Sequence, residues 1–329
     1  MLKHAIILAT GLTLLVFSGA NGADDGHPTY TNPKTAGPDF KVQGEYAGTL
    51  HGNDGNEVKW GAQVIALGDG KFHLAGFRGG LPGDGWKRDD FETQTDGKTN
   101  GGQTTFFGDG WLGTISDGTL RVEANGSHLG DLKKVHRKSP TLGAKPPAGA
   151  IVLFDGKSAD KWVNGHVTDH GDLLADTSSK MSFGDHKLHL EFRTPFKPHA
   201  RGQARGNSGV YIQSRYELQV LDSFGLSGEN NECGGFYQVR KPKVNMCYPP
   251  LQWQTYDIDF TAARYNDAGK KTSNARVTVK HNGVLIHDDL ELPRGTPGRL
   301  AEGPGDAPIY LQGHGNPVVY RNIWVVLDK

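Results

Sequence analysis

The sequence predicts an all-β protein: a small antiparallel β-barrel or sandwich, then a larger jelly-roll β-sandwich. Three observations carry that expectation. Short runs of alternating apolar and polar residues recur along the chain, and 47 glycines fall between them. No long stretch shows the 3.6-residue periodicity of an amphipathic helix. Turn dipeptides such as Asp117-Gly118, Asn125-Gly126 and Asn282-Gly283 sit between the runs. Formal net charge is zero and no block of like charge stands out, which argues against a nucleic-acid surface.

Residues 1–23 read as an export signal. Lys3 and His4 precede an apolar run from Ala5 to Phe17, then the small residues Ser18, Gly19, Ala20, Gly22 and Ala23. The run is short against the ~20 residues that span a bilayer. The mature protein is therefore expected to be soluble, free of the membrane, and periplasmic or extracellular. Residues 24–39 are polar and rich in Pro, Thr and Asn, the texture of a flexible tether. From 40 to 137 the alternation of VQGEYAGTL, VKWGAQVIAL and KFHLAGF, followed by several shorter runs, predicts a compact β domain of unassigned role. Residues 138–149, KSPTLGAKPPAG, read as a Pro/Gly linker. Residues 150–329 then carry enough short strands for a two-sheet sandwich.

Cys233 and Cys247 are the only cysteines. In an oxidising compartment they are expected to pair, closing a loop of roughly fifteen residues worth about 3 kcal/mol in the chain-entropy account. No Cys-x-x-Cys or ordered Cys/His spacing points to zinc. His166 and His170 have helical ligand spacing but sit among Gly and Asp residues that indicate a loop. The sequence implies no required cofactor, and loop carboxylates leave room for a calcium ion.

The stretch RGNSGVYIQSRYELQVLD, residues 205–222, reads as turn, strand, turn, strand. Period two places Glu217 and Gln219 side by side on a polar face, about 7 Å apart. Asp222 has the opposite parity, and one β-bulge would return it to Glu217. Two carboxyls on one polar face suit acid/base chemistry on a sugar.

In one order the chain carries LFDGKSADKW, LHLEFRTP, GNSGVYIQSRYELQVLD, WQTYDIDF, NGVLIHD and YLQGHGNPVVYRNIWV. Together these resemble the 3-keto-disaccharide hydrolase domain over roughly residues 150–329. The resemblance implies a concanavalin/laminarinase-like sandwich acting on glycosides oxidised at C3, with an oxidised disaccharide or glycoside as substrate. ECGGFYQVRKPKVNMCYPP, residues 232–250, looks like a longer loop than many members carry, suited to a lid. The central strand is also similar to the Glu-x-Asp-x-x-Glu strand of laminarinase-type β-glucanases. Here the corresponding positions are Glu217, Gln219 and Asp222, so an amide replaces the middle acid and the last arm is one methylene shorter.

A C3 ketone disfavours an oxocarbenium ion and acidifies the C2 hydrogen. Elimination followed by hydration then needs a base, an acid and donors for an enolate oxygen. Glu217 or Glu191 is the expected base and Asp222 the acid. Arg193, Gln312 and His314 are donor candidates, with His314 an alternative base. Asn207, Ser208 and Gln219 are expected at the substrate, with Tyr237 and Trp253 as stacking surfaces. Three rival readings remain at this level: a lectin-like binder of exported polysaccharide, a structural cell-envelope protein, and a hydrolase of unoxidised β-glucans.

Overall fold

The structure, a computed structural model, describes residues 26–52 and 55–327; the expected export signal over residues 1–23 lies outside them. Eight strands close into a barrel: β1 (Gly44–His51), β2 (Glu57–Gly68), β3 (Lys71–Arg78), β4 (Glu92–Asn100), β5 (Gln103–Gly108), β6 (Trp111–Ser116), β7 (Thr119–Ala124) and β8 (Ser127–Val135). Each pairs with its successor and β8 returns to β1, so the meander has no free edge. The turn chemistry enforces this order. Asp69-Gly70, Asp117-Gly118 and Asn125-Gly126 all hold positive φ at both positions, as type I′ hairpin turns require.

The second unit is a two-sheet sandwich. Its strands are β9 (Ile151–Phe154), β10 (Trp162–Val163), β11 (Leu173–Leu174), β12 (Thr177–Phe183), β13 (His186–Arg193), β14 (Ser208–Ile212), β15 (Tyr216–Val220), β16 (Gln254–Thr261), β17 (Ala275–His281), β18 (Val284–Leu292), β19 (Ala307–Leu311) and β20 (Val319–Leu327). One sheet has seven strands, in the order β9-β20-β13-β16-β17-β18 with β11 also on β20; the other has five, β10-β12-β19-β14-β15. Leu188, Leu190 and Phe192 from one sheet meet Val210, Leu218 and Val220 from the other in a sealed core. Alternation then turns the intervening residues of each strand to the two outer faces.

Three expectations about the connections change. Residues 26–39 do not hang free. Tyr30 and Phe196 exchange backbone hydrogen bonds at 3.0 and 2.9 Å, and His27 stacks on His199 at 4.0 Å. A helical turn (Gly37–Val42) follows, and Ala36, Phe40 and Val42 pack into the barrel's core cluster. The 138–149 linker is fastened across the outer face of the seven-stranded sheet. There Ser139 Oγ lies 2.6 Å from Thr255 Oγ1, and Thr141 Oγ1 donates to Asp257 at 2.7 Å.

The expected disulfide is replaced by two free, buried thiols. Cys233 Sγ lies 3.2 Å from the Tyr256 hydroxyl, and Cys247 Sγ donates toward the Leu221 carbonyl at 3.4 Å. Both sit inside the apolar core, where burial pushes the Cys247 thiol up and keeps it neutral.

Candidate active site on the five-stranded sheet

Strands β14 and β15 form the expected hairpin. Gln213 and Ser214 both hold positive φ in the connection, and the register places Tyr211 opposite Glu217 and Gly209 opposite Gln219. All four therefore share the outer face. Gly209 is required there, because a Cβ would lie 2.5 Å from Glu217 Oε1. The next strand, β19, brings Tyr310 beside Tyr211, with ring centroids 5.6 Å apart.

Glu217 is only 3 % exposed. Burial raises its pKa to about 7, and a hydrogen bond from the Tyr211 hydroxyl, 2.8 Å from Oε2, offsets only part of that. Burial and the Glu217 carboxylate together push the Tyr211 hydroxyl up, so it stays protonated. Its oxygen also lies 3.0 Å from the Pro297 carbonyl and receives Gln312 Nε2 at 3.4 Å.

An amide cluster borders the carboxyl. Gln203 Oε1 accepts from Asn207 Nδ2 at 2.9 Å and from Gln219 Nε2 at 3.0 Å, which orients both amides. Asn207 Oδ1, Gln219 Oε1 and Gln312 Oε1 are left buried without a partner in the protein. A buried unpaired acceptor costs about 1–3 kcal/mol, so three at one place are unusual unless a ligand's hydroxyls meet them. Arg299 lies over the Tyr310 ring at 3.8 Å, and Asp176 accepts from the Tyr310 hydroxyl at 3.0 Å.

The long 232–250 loop is in part an extra edge to the sheet. Gly234 N donates to Gln219 O and Tyr237 N to Glu217 O, at 3.0 and 3.2 Å, while Phe236 bridges Leu218. Tyr237 thus sits at the site, near enough to Tyr211 to add to its shift.

Other expected residues lie elsewhere. Asp222 is buried in an ion pair with Arg205, Nε to Oδ2 2.7 Å. Strand β15 ends at Val220 and Leu221 enters the core, so no bulge swings Asp222 back to Glu217. Glu191 lies on the outer face of the other sheet. Gly143 N, Arg321 Nε and Asn322 Nδ2 reach it at 2.5, 2.6 and 3.0 Å. Burial opposes its ionisation, but these bonds and His189 outweigh that and hold its pKa at about 2, the wrong direction for a base. Arg193 pairs with Asp172 at 3.2 Å, and Trp253 lies between Arg193 and Arg321 at 4.8 and 4.0 Å, also on that outer face. Ser208 points between the sheets, donating to Gln312 O at 2.6 Å, with Tyr320 OH 2.7 Å away. His314 sits on the loop that begins at Gln312, its carbonyl held by Asn316 Nδ2 at 3.0 Å. Among the described residues, no group of three or more His, Cys, Asp or Glu side chains is arranged to hold a metal ion.

Sequence reasoning missed Tyr211, Gln203, Arg299, Tyr310 and Asp176 as site residues. Tyr211 alone had a local signal: counting back across the turn from Glu217 reaches it.

A sandwich whose outer face presents one shifted carboxyl amid tyrosines and amides is a glycoside-acting enzyme by fold and likeness. A crystal structure of a protein assigned by inference as a glycosyl hydrolase, from Parabacteroides distasonis ATCC 8503, aligns at TM-score 0.51 and 31% identity, covering 55% of this chain and 85% of that one. Residues 149–326, more than half of the chain, match the 3-keto-alpha-glucoside-1,2-lyase-like domain, and the chain belongs to that family. Two further proteins of the same organism, assigned in the same way, align at TM-scores of 0.41 and 0.38 with 16% and 22% identity. They cover 55% and 54% of this chain and 94% and 99% of their own, too distant to bear on the chemistry. No curated protein matches.

Proposed function

We propose that the sandwich cleaves glycosides oxidised at C3 by elimination and then hydration. One observation carries this: the outer face holds a single buried carboxyl, Glu217, with a pKa of about 7, surrounded by neutral hydrogen-bonding groups. Oxocarbenium chemistry uses two carboxyls, about 5–5.5 Å apart in retaining enzymes. Asp176 stands beyond Tyr211 and Tyr310, three strand spacings or about 14 Å away across the sheet, and Asp222 and Glu191 are tied up elsewhere.

A lone base suits a proton made acidic by a neighbouring ketone. Glu217 takes the C2 hydrogen, and the C2–H electrons move into an enolate whose oxygen O3 gains charge. The Tyr211 hydroxyl, whose proton is freed from the Glu217 carboxylate as that group is protonated, and the Arg299 guanidinium are the donors assigned to it. When the ketone re-forms, the C1–O bond breaks, the departing oxygen takes the proton that Glu217 carries, and a C1=C2 double bond appears. Water then adds at C1 and a proton returns to C2. Departure from an enolate tolerates a poor leaving group better than direct ionisation does. The partnerless oxygens of Asn207, Gln219 and Gln312 accept from the remaining sugar hydroxyls, and Tyr237 borders the ring.

The test is a side-by-side assay. A 3-keto-glucoside should be cleaved at least 100-fold faster than the same glucoside unoxidised, and in heavy water the recovered sugar should carry deuterium at C2. Equal rates on both would reinstate ordinary glycoside hydrolysis; binding without cleavage would favour a lectin-like role. Residues 1–23 add an exported location to the proposal, periplasmic or extracellular. Mass spectrometry of the exported protein should find it beginning after Ala20, Gly22 or Ala23, and a retained Met1 would remove that part.

A further inference from the structure

The barrel holds a hollow that the glycoside-cleaving face does not use. Inward-facing pairs on β2 and β3 stack in layers: Ala66 with Phe72, Val64 with Leu74, Ala62 with Gly76, and Trp60 with Arg78. Large rings fill one end, where Tyr46, Phe72 and Phe106 are wholly buried and the Gly37–Val42 turn closes over them. The Ala62/Gly76 layer has almost no side chain, and the barrel opens there into a cavity of about 480 Å³. Leu74, Leu120 and Leu132 line its depth, and Trp60, Phe91 and Trp111 ring its mouth. An eight-stranded barrel packed throughout with ordinary core residues would be solid; one with small residues in a single layer can hold one small ligand.

The mouth also carries a cation. Arg78 occupies an inward position on β3, lines the cavity, and makes no salt bridge among the described residues. Asp109 borders the same mouth from the turn after β5, without ion-pair contact to Arg78. Apolar walls, an aromatic collar and an unpaired guanidinium at the rim define a complementary shape. We propose that the barrel binds a small amphiphilic acid, with its ring system or medium acyl chain in the hollow and its carboxylate or sulfonate on Arg78. A volume of this size matches the ~300–1,000 Å³ of small-molecule pockets, and a guanidinium pairs with such an anion in bidentate fashion.

The probe is 8-anilinonaphthalene-1-sulfonate, titrated into the full chain by fluorescence and calorimetry, with dodecanoate as competitor. One saturable site per chain, displaced by dodecanoate, is expected. Ala62→Phe fills the hollow from β2 and should weaken binding at least 10-fold while leaving glycoside cleavage unchanged. Val122→Phe does the same from the opposite wall should the first variant fail to fold, as judged by circular dichroism and a cooperative melt. Arg78→Leu should weaken the sulfonate at least 10-fold and the neutral N-phenyl-1-naphthylamine less than threefold. Absence of saturable binding, or folded filling variants that bind as the parent does, would overturn the site. Equal effects of Arg78→Leu on the charged and neutral probes would overturn the acidic headgroup.

Discussion

Glu217→Gln is expected to lower kcat/KM for a 3-keto-glucoside by about 10²–10⁴-fold, the usual contribution of a positioned base, while making the protein more stable above neutral pH. The second half follows from the cause of the pKa shift. Burial raises Glu217 from 4.5 to about 7, so the folded state holds the proton more tightly than the unfolded one. Below pH 4.5 both states are protonated and the group costs nothing. Between pH 4.5 and about 7 the folded protein loses stability as pH rises, and above 7 the full cost, up to about 3 kcal/mol, is present. Glutamine does not titrate. Its advantage in thermal melts should therefore appear above pH 7 and vanish below pH 4.5. Parent activity should rise with pH through about 7, since the base must be ionised. Tyr211→Phe removes the bond that favours the carboxylate and should move that limb about 1–2 units higher. A Glu217→Gln variant with unchanged turnover would take Glu217 out of the reaction; one that is inactive but no more stable at pH 8 would mean the side chain is not strained by burial.

The sequence pattern reached the right face of the central hairpin because parity along a strand is a local property. Glu217 and Gln219 share a face whatever the rest of the chain does. Which sheet a strand joins is not local. Glu191 has the same signature as Glu217, an acid between apolar neighbours, yet β13 pairs with β16 and β20, and its polar face meets the linker. Its partners Gly143, Arg321 and Asn322 come from segments 48, 130 and 131 residues away, and nothing in LHLEFRTP announces them. Gln203 is invisible for the same reason: a loop glutamine acquires its role only when two other amides meet its one oxygen. The cysteines illustrate a different limit. A pair at this spacing in an exported chain is expected to oxidise, yet both thiols are free, one beside the Tyr256 hydroxyl and the other beside the Leu221 carbonyl, contacts that the spacing does not reveal.

Asp222 fails as an acid for a reason that yields the other large expected effect. Arg205→Ala should destabilise the folded chain by about 3–5 kcal/mol, the cost of leaving a buried charge uncompensated, and lower the melting temperature by about 10 °C on the scale of a domain this size. Arg205 and Asp222 are 6 % and 0 % exposed at their side chains. Burial raises the Asp222 pKa, and Arg205 offsets only part of the rise. The guanidinium does more than neutralise. Its Nη1 reaches the Ala66 carbonyl of the barrel at 3.2 Å and the Pro198 and Ala200 carbonyls at 3.3 and 3.4 Å, and Nη2 reaches Gln43 Oε1 at 3.4 Å. Removing it therefore strands one carboxylate and several acceptors where β2 meets the sandwich. Asp222→Asn keeps a hydrogen-bonding shape and should cost less than Arg205→Ala. Replacing both at once, Arg205→Met with Asp222→Leu, should recover much of the loss, because no lone charge remains. That double variant also separates structure from chemistry. If it melts near the parent and cleaves at the parent's rate, the pair is a clamp between barrel and sandwich. If it melts normally but is inactive, Asp222 takes part in the reaction after all, and the one-carboxyl scheme must be given up.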